Sequence, residues 1–518
     1  MSGLNEIRPT PHPIPLSAIL PQYTGSVQVS GASMNSKDIA PGDLFIGAPG
    51  AKAHGARFAD AAVASGAVAV LTDAAGAELV TADVPVVLTE NVRAVIGSVS
   101  AAVYGRPTDR LLTIGVTGTN GKTTTTFMIR GALETAGHKV ALSGTVETRV
   151  GPWQVDSAHT TAEAPVLQRI GAAALDQGCD AYIVETSSHA ISFGRVEEIA
   201  YDVLTFTNLQ HDHLDFYGDL ETYFQAKASL FTPEHTRAAV ICVDDDYGLR
   251  LANSLNTRGD LPVVTVSAIG EQALTTPADW RVSDAHEDPH TARMNFTLTG
   301  PDGVARECSA AVPGIVNVQD ASVAIVSAVT AGVPLEQAIA GVAEMRAVPG
   351  RMEVYGDRSK DEPLVVVDFA HTPEAIEKVF ESMRPLTPGR LITVIGSDGD
   401  RDAEKRPIIG QVIGRSADLI VLTDENPRSE EPAEIRAQIR AGVEQVRPDL
   451  HDFVEITTCR RDAIRWAIQH ANSQDTVTIT GKGNEPYQEI QGVHHKYNDV
   501  PVLQEVLEAR GRSHSGSI

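Results

Sequence analysis

The sequence predicts a multidomain α/β protein built on parallel sheets, and three observations carry that expectation. Short Val/Ile-rich runs alternate with Ala-rich stretches of helical periodicity, the order expected of buried strands and covering helices. The length, 518 residues, suits about three domains. Two Pro/Gly-punctuated seams, YGRPTDR (104–110) and AVPGRMEVYGDR (347–358), divide the chain at domain-sized intervals.

The runs, in order, are AVAVLTD (67–73), LLTIGVT (111–117), AYIVETS (181–187), AAVICVD (238–244), LVVVDFA (364–370), LITVIGS (391–397), LIVLTDE (419–425) and TVTITGK (476–482). Cutting at the seams gives residues 1–108, 109–348 and 349–518. Lys and Arg total 42 against 67 Asp and Glu, a net charge of -25 that argues against nucleic acid or anionic lipid as a partner. Small anionic ligands remain compatible, because local donors hold them. Cys179, Cys242, Cys308 and Cys459 lie far apart with no CxxC pair, so neither a disulfide framework nor a zinc site is expected. No basic-then-apolar leader opens the sequence, and no apolar run approaches the ~20 residues of a membrane span. A cytoplasmic protein without membrane insertion is the expectation.

The chemistry starts at GTNGKTTTT (118–126), between an apolar strand and the helical stretch FMIRGALETAG (127–137). Gly118 and Gly121, flanking Thr119 and Asn120, let backbone N–H groups turn onto phosphate oxygens at a helix N-terminus. Lys122 is placed to reach the β- and γ-phosphates, and the hydroxyl of Thr123, before Thr124, to ligate Mg²⁺. ATP or a relative is the expected ligand. The loop alone does not name the reaction.

GTNGKTTTT resembles the ATP loop of the Mur ligases, the amide-forming enzymes of the peptidoglycan stem peptide, whose relatives include the folylpolyglutamate synthases. Further segments match in order over nearly the whole chain, most closely the branch that adds the third amino acid. The resemblance implies a uridine-binding α/β domain (1–108), a central P-loop ATPase domain with a parallel sheet (109–348) and a Rossmann-like amino-acid-binding domain (349–518). It implies a monomer and two Mg²⁺ ions beside ATP. Glu185, in IVETSSHAI, matches a metal ligand at a strand end; His213, in QHDHLDF, matches a histidine that helps hold the second metal. Lys227, in AKASLF, matches a carbamylated lysine that bridges the ions, although its local sequence alone reads as an exposed helical lysine. Asn317, Arg351, Asp368 and His371 match nucleotide-contacting or hinge positions, Asp368 and His371 closing the site.

For the UDP-linked muramoyl peptide, Thr160 and Thr161 in HTTAEAP and Ser187 and Arg195 in SSHAISFGRV match substrate contacts; an arginine suits a carboxylate or diphosphate. Ser36, in Asn35-Ser36-Lys37, matches a uridine contact usually written DSR, with Lys37 replacing the forked guanidinium. In the third domain Arg401 is where the family meets the added amino acid's carboxylate. Glu425-Asn426-Pro427-Arg428 matches a DNPR selectivity stretch, with Arg428 placed to pair with the second carboxylate of meso-diaminopimelate. Gly481 and Glu485 complete the implied pocket.

Several positions depart from that pattern: Glu425 for Asp, Asp398 for Gly, Asn484 for His, and Cys242 and Cys459 at usually polar positions. The negative charge of Asp398 keeps lysine or ornithine open as the amino acid added. The departures also motivate a non-catalytic paralogue that binds the UDP-muramoyl peptide, against which Lys122, Glu185, His213 and Lys227 all stand filled. A folylpolyglutamate synthase would need neither the first domain nor the ENPR stretch.

Overall fold

The computed structural model describes residues 3–50, 53–157, 159–268, 278–345 and 347–515. It is α/β throughout, with parallel strands in each of its main sheets. The chain divides into two compact units, Met1–Ser283 with Thr297–Arg306 and Gln319–Val342, and Asp284–Phe296 with Glu307–Val318 and Ala343–Ile518. No helix among the described residues is long and apolar enough to cross a membrane.

The first unit opens on a small parallel sheet in the order Gly31–Ser33, Asp43–Gly47, Ala69–Thr72, Val86–Leu88. Its central sheet is larger. Strand Leu112–Thr117 lies between Ala181–Glu185 and Val203–Phe206, all parallel, and Ala239–Cys242 and Val263–Ser267 continue beyond. These central strands are almost wholly buried and mostly apolar, as expected of parallel strands covered on both faces. Strands Leu112–Thr117 and Ala181–Glu185 end side by side, with Glu185 paired to Val116, so the loops that follow both open at one carboxyl edge, where open α/β sheets place ligands.

In the second unit six strands run in the order Glu353–Tyr355, Leu364–Asp368, Thr476–Thr480, Leu391–Ile395, Leu419–Leu422, Phe453–Glu455. Only the first is antiparallel. One apolar cluster fills each face of this sheet: Val365, Ile392 and Val477 with helix Arg460–His470 on one, and Val366, Leu391 and Ile420 with helices Pro373–Met383 and Lys405–Ser416 on the other. The hairpin Tyr487–Ile490/Val493–Lys496 joins residue 428 through an isolated bridge to Ile490.

Candidate functional site

The phosphate loop forms as the glycine spacing predicts. Strand Leu112–Thr117 ends, Gly118 to Gly121 turn, and helix Lys122–Thr135 begins. Gly121 caps it in the left-handed region, at φ 82°, and a Cβ there would lie 2.1 Å from Oδ1 of Asp320. A Cβ on Gly118, at φ 149°, would meet the Thr207 hydroxyl at 1.9 Å. Both positions therefore require glycine.

The donors differ from expectation in one respect. The amides of Thr119 and Asn120 are engaged, donating to the carbonyl and the side-chain oxygen of Asn208, the latter at 2.9 Å. The amides left to meet an anion thus begin at the helix, whose first N–H groups have no intrahelical acceptor, Thr123 and Thr124 among them. Lys122 Nζ donates to the carbonyls of Gly118 at 3.1 Å and Thr119 at 2.9 Å, and burial lowers its pKa.

Beside the loop, Glu185 is 1% exposed at the end of its strand. It accepts from the Thr123 hydroxyl at 2.9 Å and from the Thr145 hydroxyl and amide at 2.9 and 2.7 Å. With its proton on Glu185, the Thr145 hydroxyl can accept from that of Thr160, 3.1 Å away. Thr161 donates to the Glu185 carbonyl at 2.7 Å and accepts from the Ser187 amide at 3.0 Å. Arg195 donates to the Thr161 carbonyl at 3.1 Å and pairs with Glu163 at 2.8 Å. Thr123, Glu185, Thr160, Thr161, Ser187 and Arg195 thus form one connected set. Thr145, which links the loop carboxylate to Thr160, carries no sequence signal.

Lys227 is not the exposed lysine its helix suggests. It is 1% exposed, lies over the Tyr223 ring at 4.7 Å and donates to the Gly118 carbonyl at 2.8 Å. Burial, then the charge of Lys122, pushes its pKa far down. A neutral amine is the form that reacts with carbon dioxide, so this environment suits carbamylation. His213 sits in the left-handed region at φ 54°, its ring edge-on to His189 at 4.7 Å. It is half exposed and shares no hydrogen bond with the Thr123–Glu185 pair. Asp320, which the sequence reading missed, is fully buried with Oδ1 unpartnered, and burial pushes its pKa up to about 8.

No group of three or more His, Cys, Asp or Glu side chains among the described residues forms a metal cage. The hydroxyl–carboxylate pair of Thr123 and Glu185 still fits Mg²⁺, a hard cation that takes one or two protein oxygens and completes its shell with phosphates and water. A second ion would need oxygens on Lys227, which its amine lacks.

Ser36 lies apart from this set, in the short helix Ser36–Asp38, where Asp38 pairs with buried Arg169 at 2.7 Å. In the second unit Asn317 donates to the Pro313 carbonyl at 2.6 Å. Asp368 ends its strand, accepts from the amides of Met352 and Ala370 at 2.7 Å each, and has its pKa raised by burial. Arg351 and His371 both pack on Phe369, which follows it.

The ENPR stretch is held by a polar network. Asn426 donates to Asp398 at 2.9 Å and Glu485 at 3.0 Å, and accepts from Lys482 Nζ at 3.0 Å and the Glu489 amide at 3.1 Å. Lys482, wholly buried, also donates to Glu485 at 2.8 Å and the Tyr487 carbonyl at 2.7 Å, so all three of its protons are placed. Arg428, at φ 53°, donates to Asp398 at 3.2 Å and has Glu489 3.7 Å from Nε. Glu425 is buried against Gly481, whose Cβ would lie 2.3 Å from its carboxylate, and its pKa rises to about 8 through burial and Asp398. Pro427 lies so close to Gly399 that a Cβ there would meet its carbonyl at 2.0 Å. Arg401 is exposed, without a hydrogen bond or ion pair among the described residues.

A glycine-bounded phosphate loop, a hydroxyl–carboxylate pair for a hard cation and a second unit with a network of charged side chains define an α/β nucleotide-dependent enzyme. The sequence matches the Mur ligase family catalytic domain over residues 28–104, the Mur ligase middle domain over 116–328 and the Mur ligase glutamate ligase domain over 350–483. Similar relatives are the UDP-N-acetylmuramoyl-L-alanyl-D-glutamate--2,6-diaminopimelate ligases of Streptomyces coelicolor, 41% identical over 93% of both chains, and of Corynebacterium glutamicum, 40% identical over 95% of this chain and 94% of that one. A solved structure of a ligase of the same name, 31% identical, superposes with a TM-score of 0.69 over 96% of this chain and 99% of that one. The chain belongs to the Mur ligase family. It is accordingly an ATP-dependent carbon–nitrogen ligase of peptidoglycan synthesis.

Proposed function

We propose that the protein joins meso-2,6-diaminopimelate to the D-glutamyl carboxylate of UDP-MurNAc-L-Ala-D-Glu in the cytoplasm, with ATP cleaved to ADP and phosphate. The observation that carries the choice of amino acid is Arg428, a guanidinium held on the same polar network as Asn426 and Glu485. It matches the charge of a second substrate carboxylate, and a charge-assisted pair of this kind discriminates strongly.

In this reading the γ-phosphoryl group passes to the acceptor carboxylate, giving an acyl phosphate and ADP. Lys122 exchanges the carbonyls of Gly118 and Thr119 for phosphate oxygens and offsets the charge that develops there. Thr123 and Glu185 would hold Mg²⁺, which would neutralise phosphate charge when bound. Lys227, once carbamylated, would offer anionic oxygens to a second ion, with His213 as a further candidate ligand. Thr160, Thr161, Ser187 and Arg195 hold the muramoyl peptide, and Ser36 the uridine. The deprotonated amine then attacks the acyl carbon, phosphate leaves and an amide remains. Catalysis is mainly positioning and electrostatics.

A second reading, the same ligation with L-lysine or L-ornithine, is favoured by the negative charge that Asp398 places on Arg428. Phosphate release measured with ATP, Mg²⁺, the UDP-linked dipeptide and each amino acid in turn separates the two. Turnover with diaminopimelate alone supports the first reading, and turnover with lysine or ornithine alone the second. Silence with all three, while ATP still binds, favours a non-catalytic paralogue.

A further inference from the structure

The contact between Arg428 and Asp398 has the form of a substrate's own charges. We propose that Asp398 is a specificity-determining residue: its pair with Arg428 opens for an amino acid with a zwitterionic far end, Arg428 taking the carboxylate and Asp398 the ammonium. The inference rests on the ligase reading above.

Three observations support it. The guanidinium is only half satisfied. Nη2 donates to Asp398 at 3.2 Å, while Nε is buried without a hydrogen-bond partner, its carboxylate neighbour Glu489 standing off at 3.7 Å. A buried donor left unpaired is costly until a ligand meets it. Asp398 is also anchored independently of the arginine. Its Oδ1 accepts from Asn426 at 2.9 Å, and Asn426 is fixed in turn by Lys482 and the Glu489 amide, so the carboxylate stays in place when Arg428 leaves it. Finally, both side chains keep 19% exposure, open enough for a ligand to reach.

The pairing of individual charges then sets the preference. Arg428 and Lys482 face Asp398, Glu485 and Glu489, while burial favours the protonated form of Glu425. A zwitterionic end adds no net charge and exchanges one ion pair for two. Lysine brings the ammonium alone, and drawing Asp398 onto it leaves Arg428 with only the 3.7 Å contact to Glu489. A chain ending in a carboxylate alone must compete with Asp398 for Arg428 and leaves Asp398 unpaired. Both single-charge analogues lose what the zwitterion keeps.

The test compares kcat/KM for meso-diaminopimelate, L-lysine and L-2-aminopimelate, which keeps the far carboxylate and lacks the far amine, in the parent enzyme and in Asp398→Asn. The parent should favour diaminopimelate over each analogue by about tenfold or more. Asp398→Asn should bring diaminopimelate and 2-aminopimelate to within about threefold, through KM for the amino acid, with KM for ATP and the UDP-linked acceptor unchanged. A variant that keeps the parent's ratio overturns the proposal. So does a parent that uses 2-aminopimelate as well as diaminopimelate, an outcome that needs no variant to fold. A parent inactive with all three overturns the ligase reading itself, and the inference with it.

Discussion

The side chains of Lys122 and Lys227 meet on one acceptor, the carbonyl oxygen of Gly118, at 3.1 and 2.8 Å. Burial lowers both pKa values, and the charge of Lys122 pushes that of Lys227 down further. An arrangement that would be poor as bare structure becomes useful once one amine is converted to an anion and the other faces phosphate.

Lys227→Ala should therefore lower kcat by about a hundredfold or more while leaving ATP binding measurable. Labelled bicarbonate should give a carbamate carbon signal in the parent and none in the variant. Equal signals in the two would remove the carbamate from the account.

Asp320 carries the pH dependence. Its folded pKa, raised from 3.8 to about 8 by burial, means that the native state keeps a proton the unfolded chain has lost between those values. Stability attributable to this group falls as pH rises through that window and levels off above it. Asp320→Asn should match the parent near pH 4 and exceed it increasingly towards pH 8, by on the order of a few kcal/mol in denaturant titrations. A constant difference across that range would contradict this.

Gly121→Ala should abolish ATP binding and destabilise the central sheet, because the added Cβ meets the Asp320 carboxylate in a left-handed backbone. Isothermal titration with ATP checks the first effect and thermal melting the second. Gly137→Ala, also at positive φ but with open space at its Cβ, should melt slightly lower and still bind ATP.

Lys482→Met should cost about 3 kcal/mol, since it leaves Asn426 and Glu485 without their buried partner. In whatever fraction folds, KM for the amino acid should rise while KM for ATP stays put. Steady-state kinetics with each substrate varied in turn reads the difference.

Much of this was legible in the sequence, for reasons that differ by residue. Gly118, Gly121, Lys122 and Thr123 announce themselves because local spacing alone builds the loop. Glu185 follows from its position at a strand end. Lys227 did not follow from its helix, because its burial comes from Tyr223 and the Gly118 carbonyl, the latter 109 residues away in the chain. Thr145, Asp320 and Lys482 gave no signal for the same reason: tertiary approach gives each its role. Asp398 was visible as an unusual charge, but only its pairing with Arg428 shows how a carboxylate there is compatible with a dicarboxylic substrate.

The most direct measurement offers the enzyme equal concentrations of meso-diaminopimelate and L-lysine with ATP, Mg²⁺ and UDP-MurNAc-L-Ala-D-Glu, and weighs the UDP-linked product by mass spectrometry. The account predicts a tripeptide carrying diaminopimelate, with one ADP formed per product. A product carrying lysine, or ATP bound with no product formed, would contradict it.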